Sequence, residues 1–174
     1  MITLPRDCLS SKLPAQYGRK ILILDEIQDP GNVGTLIRSA AAFNFDGILL
    51  SGGCADLFSP KAIQASAGSI LSLWIRRTSH YFSLCMKLKK EGFRIIAADI
   101  DGNSKSAIHG GGKVALVLGN EAIGISDKVL KLADTVFRIP HTNQSVESLN
   151  VAAAGAICMY LLNSAVSFCP PKRD

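Results

Sequence analysis

The sequence predicts an α/β protein whose mostly parallel sheet is covered by helices on both faces. Three observations predict it. Short runs such as 21–24, 47–50 and 114–118 are apolar at nearly every position, as strands buried on both faces must be. Stretches with apolar residues at helical spacing separate them. Polar residues cluster just after several strands, where open parallel sheets bind ligands. The 174 residues, 48% hydrophobic and 19% charged, suit one globular domain with a sizeable core.

The elements follow in order. Residues 1–19 are punctuated by Pro5, Pro14 and Gly18 and hold no period, so they read as an N-terminal extension or linker remnant. The domain proper is expected over 20–163, with 164–174 as a tail. Its first strand is 20–24. A turn at 29–32 and a helix over 33–43 follow, with Val33, Leu36, Ile37, Ala40 and Ala41 at helical spacing and Asn32 as the N-cap. Strands are then expected at 47–50, 71–76, 94–98, 114–118 and 135–139. Helices are expected at 60–67, 80–91, 127–132 and 148–162. The longest apolar stretch, 151–162, is too short to span a bilayer and reads as a buried helix.

Charge and cysteines bound the function. Nineteen Lys+Arg against 14 Asp+Glu give +5, which fits a polyanionic partner. Cysteines at 8, 54, 85, 158 and 169 are odd in number and lack CxxC spacing. That argues against a disulfide framework or a zinc site and for a reducing cytoplasm. The N-terminus lacks an apolar signal region, so a cytoplasmic protein without a membrane partner is expected. There is no GxGxxG, GxSxG or HExxH, and Gly110-Gly111-Gly112-Lys113 lacks the phosphate-loop spacing. Aromatics at 6% do not make a stacking platform for single strands.

Three polar clusters remain. The first, 29–39, brings Asp29, Asn32, Gly34 and Arg38 to the start of a helix. Its ordinary reading is a capped helix with a solvated arginine, and Gly34 leaves room for a ligand or a second backbone. The second, 118–126, follows the most apolar strand and holds Gly119, Asn120, Glu121, Gly124 and Ser126. A glycine turn explains the glycines, but a carboxylate at a buried strand end needs a partner. The third runs from Ile139 and Pro140 through His141 and Glu147 to Ser148, Leu149 and Asn150. Capping accounts for Ser148 or Asn150 but not both. His141 is a candidate base or a solvated loop residue.

In order, these clusters resemble the three signature motifs of the SpoU family of RNA ribose methyltransferases, within the SPOUT superfamily. Asp29-Pro30-Gly31-Asn32-Val33-Gly34 with Arg38 is similar to motif 1, Leu118-Gly119-Asn120-Glu121 to motif 2, and Glu147-Ser148-Leu149-Asn150 to motif 3. Ser66-Ala67-Gly68-Ser69 also resembles a family segment, and the likeness covers 20–163. His141 stands where the family often has Met, and the loop 140–148 is about one residue longer than usual. The resemblance implies a deep C-terminal trefoil knot, a homodimer and S-adenosylmethionine as cofactor, with no metal. It implies cofactor contacts from Ala98, Gly119, Asn120, Ile139, Ser148 and Leu149. It nominates Arg38 for catalysis, supported by Asn32, Glu121 and Asn150. The implied reaction is methyl transfer to a ribose 2′-hydroxyl of rRNA or tRNA, with rRNA favoured. Arg76, Arg77, Lys87, Lys89 and Lys90 are candidate phosphate contacts. The competing expectations are a base-nitrogen methyltransferase of the same superfamily and a noncatalytic knotted RNA-binding protein.

Overall fold

The computed structural model describes residues 10, 12–103, 108, 111–140 and 148–164. Six strands form one sheet: β1 (Lys20–Asp25), β2 (Gly47–Ser51), β3 (Trp74–Thr78), β4 (Arg94–Asn103), β5 (Val114–Gly119) and β6 (Thr135–Phe137). The order is β3-β2-β1-β5-β4-β6 and each neighbouring pair is parallel. Parallel neighbours need long crossovers, which brings helices onto the sheet faces. The helices are α1 (Pro30–Ala42), α2 (Pro60–Ser66), α3 (Tyr81–Lys90), α4 (Asp127–Leu130) and α5 (Val151–Ser164). No helix among the described residues is long and apolar enough to cross a membrane.

The two-residue period of the strands sorts the core into two layers. Leu22, Leu24, Ile48, Leu50, Leu116 and Leu118 face α1 and α5, meeting Leu36, Ile37, Cys158 and Met159. Ile21, Ile23, Leu49, Ala115 and Val117 face the other way, onto Leu84, Cys85 and Leu88 of α3 and Val129 of α4. The predicted α/β class with helices on both faces is the observed one. The expected knot involves the stretch through 141–147, which lies outside the described residues.

Several element bounds differ from the sequence reading, each for a local reason. The first helix begins at Pro30, and its N-cap is Asp29, whose Oδ1 accepts from Asn32 N at 3.0 Å. Both Asp and Asn can cap; Pro30, with its fixed φ and no N–H, suits the first helical turn and shifts the start upstream. Asn32 is therefore not the cap, and its side chain is released for other contacts. Gly34 meets a second backbone: a Cβ there would lie 2.4 Å from Ala62 O of α2. The third strand begins at Trp74 rather than residue 71, because Ala67 and Gly68 have φ of 47° and 82° and turn the chain into a 3-10 segment, Ser69–Leu71. The last helix begins at Val151, with Asn150 as its cap: Asn150 Oδ1 accepts from Ala152 N at 2.9 Å and Ala153 N at 3.3 Å.

Residues 12–19 are irregular, as expected, yet they are packed against the sheet. Trp74 Nε1 donates to Tyr17 O at 3.1 Å, and Asp46 Oδ2 accepts from Arg19 N and Lys20 N.

Candidate active site

The ends of β4, β5 and β6 and the start of α5 enclose a cavity of about 570 Å³. Ala98, Gly119, Asn120, Ile139, Ser148 and Leu149 all line it, as do Glu121 and Asn150. Small-molecule sites are concave, largely apolar clefts of about 300–1,000 Å³. Leu118, Ile125, Phe137 and Val151 give this one apolar walls.

The loop after β5 is built tightly. A Cβ on Gly119 would lie 2.4 Å from Gly124 C and Ile125 N, so only glycine lets the two backbones approach. Asn120 and Gly124 exchange backbone hydrogen bonds of 3.0 and 2.9 Å. Asn120 Oδ1 accepts from Ala122 N at 2.8 Å and Ile123 N at 3.1 Å, while its Nδ2 donates to Glu26 O at 2.8 Å. The Asn120 side chain thus shapes the loop that lines the cavity. Glu26 has φ of 61°, an uncommon conformation for a side-chain-bearing residue. Ser51 holds it there, accepting from Glu26 N at 2.9 Å and donating to Glu26 Oε1 at 2.8 Å.

A buried carboxylate anchors the far end of the loop. Asp25 is 1% exposed and accepts from Tyr81 Oη at 2.5 Å, Ser126 Oγ at 2.7 Å and Ser126 N at 2.9 Å. Three donors offset the cost of burying the charge. Burial and the neighbouring Asp25 push the Tyr81 phenol well above its ordinary pKa, so it stays a donor. Asp25 supports the loop from behind the cavity, and the sequence motifs do not single it out. Its signal is an acid ending an otherwise apolar strand, but its partners lie far along the chain.

The polar residues nominated from the three clusters partly converge. Asn32 Nδ2 donates to Glu121 Oε1 at 2.7 Å, and Asn150 Nδ2 donates to Asn32 Oδ1 at 3.2 Å. One residue from each cluster therefore joins a single chain beside the cavity. Arg38 does not join it. It is exposed, and its side chain makes no hydrogen bond or ion pair among the described residues. Six residues along a helix is about 9 Å of rise and about 120° of rotation, which separates Arg38 from Asn32 on α1. His141 and Glu147 lie outside the described residues.

The phosphate-contact expectations need one correction. Arg76 is 8% exposed, with Nε donating to Lys12 O and an η nitrogen to Ile75 O, both at 3.1 Å. It anchors the segment before β1 and is not available to a surface ligand. Arg77 donates to Gly52 O and Cys54 O at 2.9 and 2.8 Å. Lys89 pairs with Asp134 at 3.1 Å and Lys87 with Glu91 at 3.8 Å. Lys90 is exposed.

The chain is similar to several known proteins. It is 37% identical to an uncharacterized tRNA/rRNA methyltransferase of Archaeoglobus fulgidus, over 84% of this chain and 65% of that protein. It is also 37% identical to the 23S rRNA (guanosine(2553)-2'-O)-methyltransferase RlmP of Bacillus subtilis, over 83% of this chain and 58% of that one. Among solved structures, the SpoU methyltransferase AviRb of Streptomyces viridochromogenes in complex with AdoMet matches with a TM-score of 0.75 and 27% identity, covering 85% of this chain and 60% of that chain. The chain spans less than two thirds of each of these proteins. The sequence profile of the SpoU rRNA Methylase family matches residues 19–160, nearly the whole of the sheet and its helices, and the chain belongs to that family.

Proposed function

We propose that this chain carries the catalytic domain of an S-adenosylmethionine-dependent RNA methyltransferase that modifies a ribose 2′-hydroxyl, with rRNA the favoured substrate. One observation carries the reading: the six residues that the family resemblance implies as cofactor contacts line one cavity. The cavity's size, apolar walls and glycine-tight loop fit an adenosine-bearing molecule held largely by backbone groups. The family relationship supports the chemistry, and the RlmP likeness supports the 2′-oxygen and rRNA. The AdoMet-bound AviRb structure supports the cofactor.

When bound, the cofactor supplies a methyl group already activated on a sulfonium, so the protein's work is alignment and proton removal. Arg38 orients the 2′-hydroxyl and stabilises the developing alkoxide. A guanidinium stays protonated at ordinary pH, so the proton passes to a neighbouring phosphate or water. Asn32, held between Glu121 and Asn150, presents a fixed amide beside the cavity. The reading includes a homodimer. Ile157, Tyr160 and Leu161 form an exposed apolar face of α5, beside the edge-to-face pair Phe43–Tyr160, which supports that part of it. It also includes the knot and a cytoplasmic location.

The test is transfer of labelled methyl from S-adenosylmethionine to separate hypomethylated rRNA and tRNA pools, followed by alkaline digestion. Label in alkali-resistant dinucleotides is the expected result. Label only in mononucleotides would move the methyl to a base. No label in either pool, together with no cofactor binding, would overturn the reading.

A further inference from the structure

Residues 99–102 leave the β4–β6 ladder between two pairings with the same residue. Ala98 and Asn103 both stand opposite Phe137, so the residues between them are extruded from the sheet. Gly102 lets the extrusion close: a Cβ there would lie 2.6 Å from the Phe137 carbonyl carbon. The apolar run in the sequence stops at Ala98, and none of the three motifs includes the residues that follow.

The extrusion places Asp99, Ile100 and Asp101 on the cavity wall. Asp99 Oδ1 accepts from Asp101 N at 3.0 Å. Its Oδ2 faces Gly124 of the loop after β5, 3.3 Å from where a Cβ would stand. Neither carboxylate has a cationic partner among the described residues. With Glu121 and Asp127, the described lining carries four carboxylates against one guanidinium, that of Arg138.

We propose that Asp99 and Asp101 make the cavity select the cationic methyl donor over its neutral thioether product. The inference rests on the cofactor reading above. S-adenosylmethionine and S-adenosylhomocysteine share adenine, ribose, carboxylate and ammonium. They differ by one methyl and one positive charge. Hydrogen bonds and apolar walls common to both ligands separate them little, whereas a field of unpaired carboxylates acts on the charge that differs. Each turnover leaves product in the site, so weaker product binding clears it for the next donor.

The test is calorimetric titration of the wild-type chain, Asp99→Asn, Asp101→Asn and the double variant with three ligands. These are S-adenosylmethionine, S-adenosylhomocysteine and sinefungin, in which an amine-bearing carbon replaces the methylated sulfur and restores the positive charge. The double variant is expected to bind both cationic ligands about tenfold more weakly while the neutral product changes by less than about twofold, since partly exposed charges act at high effective dielectric. In the wild type, added salt should weaken the cationic ligands more than the product. That arm needs no variant and keeps the proposal testable if an Asn variant misfolds. Parallel losses for all three ligands would mean the carboxylates only shape the wall and would overturn the proposal, as would no change. A wild-type chain that binds none of the three overturns the cofactor reading itself, and this inference with it.

Discussion

Asn32 Nδ2 and Glu121 Oε1 stand 2.7 Å apart, although 89 residues separate them. The contact closes α1 onto the loop after β5. It is charge-assisted, and Asn150 extends it by donating from its Nδ2 to the Asn32 side-chain carbonyl at 3.2 Å. The amide orientation is therefore set from both ends.

Asn32→Ala should accordingly slow methyl transfer far more than it destabilises the fold. Losing the aligned amide beside the cavity is expected to slow transfer roughly ten- to hundredfold, about 1.4–2.7 kcal/mol of transition-state stabilisation. The residue is only half-buried and is not the helix cap, so melting should shift little. Single-turnover rates and thermal melts of the same preparation check this. A large melting shift with a matching rate loss would make Asn32 a structural residue.

Arg38→Ala should abolish transfer while cofactor affinity stays near that of the wild type. The side chain is exposed on α1 and bonds to nothing among the described residues, so its removal has little to disturb. Arg38→Lys should also fail, because a point charge does not reproduce a planar fork of donors. Equal losses of cofactor binding and transfer would remove the assigned role.

Much of this arrangement is legible in the sequence. Buried parallel strands are apolar at every position, so runs such as 114–118 announce themselves without any partner in view. The cavity residues are legible because they sit directly after those strands or at the start of the last helix. The N-cap is not, since Asp29 and Asn32 are both competent and only the proline between them decides. Nor is Arg76, whose carbonyl partner on Lys12 lies 64 residues away. The extrusion at 99–102 depends on Asn103 returning to Phe137, a register that no local pattern encodes.

Asp25→Ala should cost stability that local propensity does not predict. It leaves the buried Tyr81 hydroxyl and both donors of the half-buried Ser126 without this acceptor. An orphaned buried donor costs about 1–3 kcal/mol, and the half-buried Ser126 donors regain water, so a loss of roughly 2–4 kcal/mol is expected. Urea unfolding measures it. Tyr81→Phe, which leaves the Ser126 contacts in place, should cost clearly less. Equal costs would show that the tyrosine bond alone carries the anchor.

Alkaline pH should destabilise the fold through its buried thiols. Burial pushes Cys85 up to about 12, with Asp25 adding to the shift, and burial alone pushes Cys158 up to about 12. In the unfolded chain a thiol ionises near pH 8.5. Below that value both states hold the proton, so stability does not depend on these groups. Above it the unfolded state releases protons that the folded state keeps, and stability falls as pH rises toward 12. Thermal melts at pH 8, 9 and 10 should show a progressive drop, and Cys158→Ala should flatten the slope even though it lowers the starting point. Alkylation followed by peptide mass analysis gives an independent check. Peptides holding Cys85 and Cys158 should stay unlabelled in the native protein at pH 8 and label fully in urea. Native labelling of either at the rate of a free thiol would contradict the burial that drives both effects.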